Sequence, residues 1–221
     1  MLSSRMQEGF GGFGGRGSIQ RSPPRWVDQA FTDRAIAYLE DLEERPEGLP
    51  SGRNKRMKVT TTWLQMSACP GGAVPPPREG LAVVHARKPT VAYYRFLYDA
   101  VGREYGWTSR RKLSDAELAA LLGDPRIEVH VVMADGVPAG FAELDRRTEG
   151  EIQLMQFGLV PEFIGQGLGR WFLRWAVHQA WSYAPRRLWL HTCTKDHPAA
   201  LPNYLKAGFV IYEEASCVEE A

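Results

Sequence analysis

The sequence predicts an α/β domain, built on one mixed and mostly antiparallel central sheet flanked by helices, behind a flexible N-terminal extension. Three observations carry this. From residue 57 onward, short β-branched and aromatic runs alternate with longer stretches of helical periodicity. Asp135-Gly136 joins two strand-like runs, and that dipeptide is the strongest short hairpin signal. The element order is one strand, two helices, three antiparallel strands, then helix, strand, helix, strand, which suits one sheet rather than separate domains.

Composition bounds the function. The chain has 221 residues, enough to bury one domain with an appendage. Its hydrophobic fraction of 44% and charged fraction of 24% are those of an ordinary globular protein. A net charge of +1 gives no reason to expect nucleic acid or an anionic membrane as partner. Cys69, Cys193 and Cys217 are few and odd in number, which suits a reducing compartment. No apolar run approaches the roughly 20 residues that span a bilayer. Residues 1–20 lack the apolar core of a signal peptide, so a cytoplasmic protein is expected.

The elements follow in order. Residues 1–56 read as a disordered or partly helical extension, since 9–17 are almost wholly glycine and phenylalanine and 28–44 put Ile36, Leu39 and Leu42 at helical spacing. Residues 57–221 form the domain. Within it, 58–66 is a strand and 69–77 a Gly/Pro-rich loop. Residues 90–102 carry Val91, Tyr94, Tyr98 and Val101 on one helical face. Ser114 and Glu117 form a capping box that opens a second helix ending near Leu122. Strands are expected at 127–134, 137–145 and 151–160, a long apolar helix at 167–183, a strand at 187–193, a helix at 198–206 and a last strand at 209–213.

Between the third of these antiparallel strands and the long helix lies Gly165-Gln166-Gly167-Leu168-Gly169-Arg170. Glycines allow close backbone approach, and a helix start offers unpaired N–H groups and a positive dipole end. Pyrophosphate suits that geometry, and Arg170 adds a fixed charge. The spacing is neither the G-x-G-x-x-G fingerprint nor a P-loop, whose G-K-[ST] ending is missing.

Together with Phe157-Gly158-Leu159-Val160-Pro161-Glu162 upstream, this turn resembles the signature of the GNAT superfamily of N-acetyltransferases. So does the later run Asp196-His197-Pro198-Ala199-Ala200-Leu201-Pro202-Asn203-Tyr204-Leu205-Lys206-Ala207-Gly208-Phe209. The resemblance covers roughly residues 57–212 and implies a GNAT-like fold with acetyl-CoA as co-substrate and an amine as acceptor. It assigns the pantetheine arm to the backbone of Phe157, Gly158 and Leu159. The phosphates fall to Ile164, Gly165, Gln166, Gly167, Leu168, Gly169 and Arg170. His197 and Asn203 line the cofactor channel, and Tyr204 is the acid that protonates the departing thiolate. Ile164 departs from the family's usual Gln or Arg, which leaves the phosphates to backbone amides. The short C-terminus leaves little room for the family's closing hairpin, so the last strand is expected to be unpaired on one side or paired in a homodimer.

The general base stays open. Gln153 stands where several family members have glutamate, and it cannot titrate. Glu151 lies on the same strand face, and Glu143 on the neighbouring strand is a second candidate. A lysine amine of pKa about 10.4 is rarely neutral at pH 7, a deficit of roughly 4.6 kcal/mol, against about 1.4 kcal/mol for an α-amine near pKa 8. A site without a strong base therefore suits a low-pKa amine. Tyr94, Tyr98, Tyr105 and Trp107, followed by Arg110-Arg111-Lys112, either line an acceptor pocket for a carboxylate-bearing amine or are core aromatics and a solvated turn. Cys193 lies in an apolar strand and reads as a structural cysteine rather than a nucleophile. His191, Cys193 and His197 lack a second ligand pair at metal spacing, so no metal is expected. Two alternatives to the acetyltransferase remain: a non-catalytic CoA-binding sensor or scaffold, and transfer of another acyl group.

Overall fold

The computed structural model describes residues 56–72 and 74–220; the extension expected over 1–56 lies outside the described residues except for Arg56. Seven strands form one sheet: β1 (Arg56–Met66), β2 (Leu81–His85), β3 (Ile127–Ala134), β4 (Val137–Asp145), β5 (Glu151–Leu159), β6 (Arg187–Cys193) and β7 (Val210–Glu220). Four α-helices flank it among the described residues: α1 (Val91–Gly102), α2 (Asp115–Gly123), α3 (Leu168–Trp181) and α4 (Ala200–Lys206). The strand order is β2-β3-β4-β5-β6-β1-β7. Every neighbouring pair is antiparallel except β5 with β6. Among the described residues no helix is long and apolar enough to cross a membrane.

The local signals act as their chemistry requires. Asp135 and Gly136 both take positive φ, 50° and 88°, as a type I′ hairpin demands. Thr90 caps α1 by accepting from the Tyr93 N–H, and the Ser114–Glu117 capping box opens α2 with both of its hydrogen bonds in place. The sheet buries an apolar layer on each face. Tyr94, Leu97, Tyr98 and Val101 of α1, with Leu118 and Leu122 of α2, pack on Val129, Val131 and Phe141. Phe172, Leu173, Ala176 and Val177 of α3 pack on the other face, against Val132, Leu144, Leu154 and Leu190.

Three features correct the reading from sequence. Leu81–His85 is a strand that the sequence pattern passes over; it is the outermost strand on its side and pairs with β3. It, and not β1, immediately precedes the two helices. β1 lies instead between β6 and β7, antiparallel to both. The last strand reaches Glu220 rather than 213 and pairs along its length with β1, ending the sheet. Among the described residues β7 pairs on one side alone, the first of the two arrangements expected for the last strand.

Gly140 on β4 lies so close to β5 that a Cβ there would come within 2.3 Å of the Gly158 carbonyl oxygen and 2.8 Å of the Leu159 Cα. Those are backbone atoms and cannot swing aside. Gly140→Ala is expected to destabilise the domain by about 1–3 kcal/mol, the usual cost of overpacking. Urea denaturation of wild type and variant measures it, and equal midpoints would contradict this reading of the β4–β5 approach.

Candidate functional site

The parallel joint between β5 and β6 is three residue pairs long: Glu151 with Arg187, Ile152 with Leu188, and Gln153 with Trp189. Past Gln153 the two strands no longer pair, although β5 continues to Leu159 and β6 to Cys193. A cause lies on the other side of β5. Glu143 faces Gln156 while Leu144 faces Leu154, so Met155 is one residue too many and forms a bulge. A bulge bends its strand and changes which residues face which side. Before it, Ile152 and Leu154 join the α3 layer; after it, Phe157 and Leu159 do. The bent half of β5 presents unladdered backbone groups to a gap, and in a folded protein such groups need a partner.

The glycine turn stands beside this half of β5. Gly165 and Gly167 have φ of 84° and 80°, a conformation that side chains bearing a Cβ rarely adopt, and a Cβ at either would meet open space. Gly167 is the N-cap of α3, and no side chain caps the helix there. Its first-turn N–H groups are left for something else to fill. Leu168 is buried and pins the helix start, while a Cβ on Gly169 would touch Leu159 Cδ1 at 3.6 Å. The Gln166 side chain donates to the Glu162 carbonyl at 2.8 Å and holds the turn. Arg170 is exposed. Ile164 packs against the core and offers no polar group.

Tyr204 on α4 is buried and meets Phe157 edge-to-face at 6.3 Å between ring centroids. Phe157 in turn stacks on Phe172 at 5.3 Å. Burial, and secondarily the nearby Asp196 carboxylate, raise the Tyr204 pKa well above the ordinary tyrosine range, so its hydroxyl holds its proton. Asn203 precedes it on the same helix. His197 Nδ1 accepts from the Ala199 N–H at 3.0 Å, and its ring meets Tyr105 edge-to-face. Gly158 faces the opposite layer, where a Cβ would strike Val101 Cγ1 at 2.3 Å.

Asp196 was not singled out by sequence. It accepts from the Thr192 hydroxyl at 2.7 Å, from the Cys193 N–H at 3.0 Å and from the Trp107 indole at 3.2 Å. The last bond joins the loop after β6 to the segment between α1 and α2. Trp107 also packs beside Tyr98 and Phe141. The signal was available, since Asp196 opens the motif that contains Tyr204.

The two candidate carboxylates do not stand free beside the gap. Glu151 is at the closed end of β5, 3.9 Å from Arg187, and six residues of strand, about 20 Å, separate it from Phe157. Glu143 is fully buried, accepts from the Tyr94 hydroxyl and pairs with Arg110 at 2.5 Å. Burial works against the Arg110 charge, but the Glu143 carboxylate more than offsets it and raises the pKa. Of the suggested pocket residues, Tyr94 and Tyr98 are core aromatics, as the plainer reading had it. Arg111 pairs with Asp99 at 2.7 Å. The Cys193 thiol pKa is raised by burial and by Asp196, the opposite of what a nucleophile needs.

The model of the acetyltransferase (GNAT) family matches residues 94–209, from α1 to the residue before β7. Uncharacterized N-acetyltransferases of Mycobacterium bovis and Mycobacterium tuberculosis are 30% identical to this chain over 99 residues, 45% of this chain and 63% of theirs. The chain therefore matches less than two thirds of the length of these relatives. Its fold is similar to that of a GCN5-related N-acetyltransferase from Sphaerobacter thermophilus, with a TM-score of 0.55 and 15% identity over 86% of this chain and 57% of that one. A functionally unknown conserved protein from Staphylococcus epidermidis gives a TM-score of 0.55 at 17% identity, covering 88% and 68%.

The buried pair gives a stability prediction. Arg110→Met leaves Glu143 without its counter-charge and is expected to cost about 3–5 kcal/mol. The double variant Arg110→Met with Glu143→Gln should recover part of that loss. If the single variant unfolds at the wild-type denaturant concentration, the pair is not holding the α1–α2 segment to β4.

Proposed function

The chain belongs to the acetyltransferase (GNAT) family, and from that premise we propose that it moves an acetyl group from acetyl-CoA directly to a primary amine. The observation that carries this reading is the gap past Gln153, which opens beside an uncapped, glycine-flanked helix start. The backbone of Phe157, Gly158 and Leu159 takes the pantetheine arm. The N–H groups of Leu168, Gly169 and Arg170 take the pyrophosphate, with the Arg170 charge beside them.

The amine attacks the thioester carbon, and the carbonyl π electrons move onto oxygen, where a β5 backbone N–H stabilises the charge. The ammonium nitrogen of the tetrahedral intermediate gives one proton to water, and collapse re-forms the C=O bond and breaks the C–S bond. Tyr204 gives its proton to the departing sulfur and recovers one from solvent. No acyl-enzyme is needed, which agrees with the raised Cys193 pKa. His197 and Asn203 line the channel, and Trp107 and Asp196 close its acceptor side.

The acceptor follows from the carboxylates. Glu143 is committed to Arg110, and Glu151 sits at the closed end of the joint beside Arg187. The amine must arrive already neutral or lose its proton to water, Glu151 serving at most through a water relay. An α-amine or another amine of pKa near 8 meets that requirement at about 1.4 kcal/mol.

Thiol release from acetyl-CoA over an amine panel tests this. Tyr204→Phe is expected to lower kcat by about 10²–10⁴-fold with the KM for acetyl-CoA little changed. Undiminished turnover would remove Tyr204 from the chemistry. CoA binding with no thiol release from any amine would favour a sensor or scaffold instead, and faster turnover of a longer acyl-CoA would replace the donor.

The pH profile tests the missing base. kcat/KM should rise tenfold per pH unit up to the acceptor's own pKa and then stay flat to about pH 9.5, because the raised Tyr204 pKa keeps its proton in place there. An acid limb at a fixed pH for every acceptor would show an enzymic base after all.

A further inference from the structure

Towards the far end of α3 from the glycine turn, β2 and β3 bring together a cluster outside the acyl-transfer site. His85 and His130 are direct cross-strand partners in the β2–β3 register. Glu128 is two residues from His130 on the same strand, hence on the same face. One ligand atom from each of the three lies within 4.8 Å of the others. The two imidazoles are 4.6 Å apart between centroids, and His130 is covered by Trp175 of α3.

The carboxylate is already oriented. Glu128 Oε1 accepts from the Tyr183 hydroxyl at 2.6 Å and pairs with Arg146 at 2.8 Å. Arg146 itself lies over the Tyr183 ring at 4.0 Å. Glu128 Oε2 faces His130 Nε2 at 3.0 Å. One oxygen is thus fixed by outer partners while the other points at the imidazoles, the arrangement in which outer hydrogen bonds aim a ligating carboxylate.

Glu128 and His130 are buried and His85 is half-exposed on an edge strand, which gives an ion a way in.

We propose that His85, Glu128 and His130 bind a divalent transition-metal ion through two imidazoles and one carboxylate oxygen. Zinc bonds of about 2.0–2.1 Å bring tetrahedral ligand atoms to roughly 3.4 Å from one another. The three ligand atoms lie within 4.8 Å of one another, and the ion takes the place of the His130–Glu128 hydrogen bond between them. Two imidazoles with one carboxylate suit zinc, iron or nickel better than calcium or magnesium. The ion ties the edge strand β2 to β3. Sequence spacing did not reveal the site, because His85 reaches the other two only through the sheet register; the metal-free expectation rested on His191, Cys193 and His197.

The test uses full-length protein stripped with a chelator and titrated with zinc chloride in competition with a chromophoric chelator. One equivalent is expected to bind and to raise the Tm, with neither calcium nor magnesium competing. His85→Ala, which alters only a half-exposed edge-strand side chain, should weaken zinc by at least about tenfold, and Tyr183→Phe by about tenfold through loss of an outer partner. A variant of the separate Cys69–His178 contact, Cys69→Ser, should bind zinc as wild type does. No saturable one-equivalent binding, or equal affinity in His85→Ala, overturns the proposal, and neither result bears on acetyl transfer.

Discussion

A parallel joint only three residue pairs long holds the two halves of this sheet together, and the rest of the molecule is arranged around its shortness. At its closed end Arg187 lies 3.9 Å from the Glu151 carboxylate, donates to the Tyr212 hydroxyl at 3.0 Å and covers the Trp189 and Tyr212 rings. That end is clamped from β5 to β7. Beyond Gln153 the Met155 bulge turns β5 away, and the ladder that would continue in an ordinary parallel sheet stops. The cost is a row of backbone groups without strand partners. The gain is a stretch of β5 and β6 free of each other's ladder, with the start of α3 beside β5.

The clamp needs a sheet strong enough to open at one place without coming apart. β1 supplies it on the β6 side. It pairs with β6 over six residues and with β7 over most of its length, so β6–α4–β7 becomes a crossover spanning a strand that enters from earlier in the chain. α4, which carries Tyr204, is therefore set by a strand distant in sequence. On the other side β2, β3 and β4 form a continuous antiparallel meander. The Trp107–Asp196 hydrogen bond joins the segment after α1 to the loop after β6.

Much of this was legible, for identifiable reasons. Asp135-Gly136 and the Ser114–Glu117 box each specify a local geometry that any tertiary context can accept, and both appear as read. Gly165 and Gly167 were marked because glycine lets the backbone come close to a ligand, and both take positive φ in the fold. The illegible parts are those decided by pairing. Nothing about Met155 marks it as a bulge, since no glycine or proline accompanies it. Leu81–His85 is five residues of edge strand, too short for alternation to show. β1 reads as a strand, but its slot depends on partners more than a hundred residues away. Glu151 was a candidate base because period-2 alternation aligned it with Gln153, but six residues of strand separate it from Phe157, a distance that alternation does not reveal.

Hydrogen–deuterium exchange with and without acetyl-CoA tests the central claim most directly. If the gap is the cofactor slot, protection should rise in two separated stretches, 154–159 of β5 and 165–170 of the turn, and hardly change at 127–134 of β3. Protection confined to other segments, or none at acetyl-CoA concentrations that saturate turnover, would contradict the account.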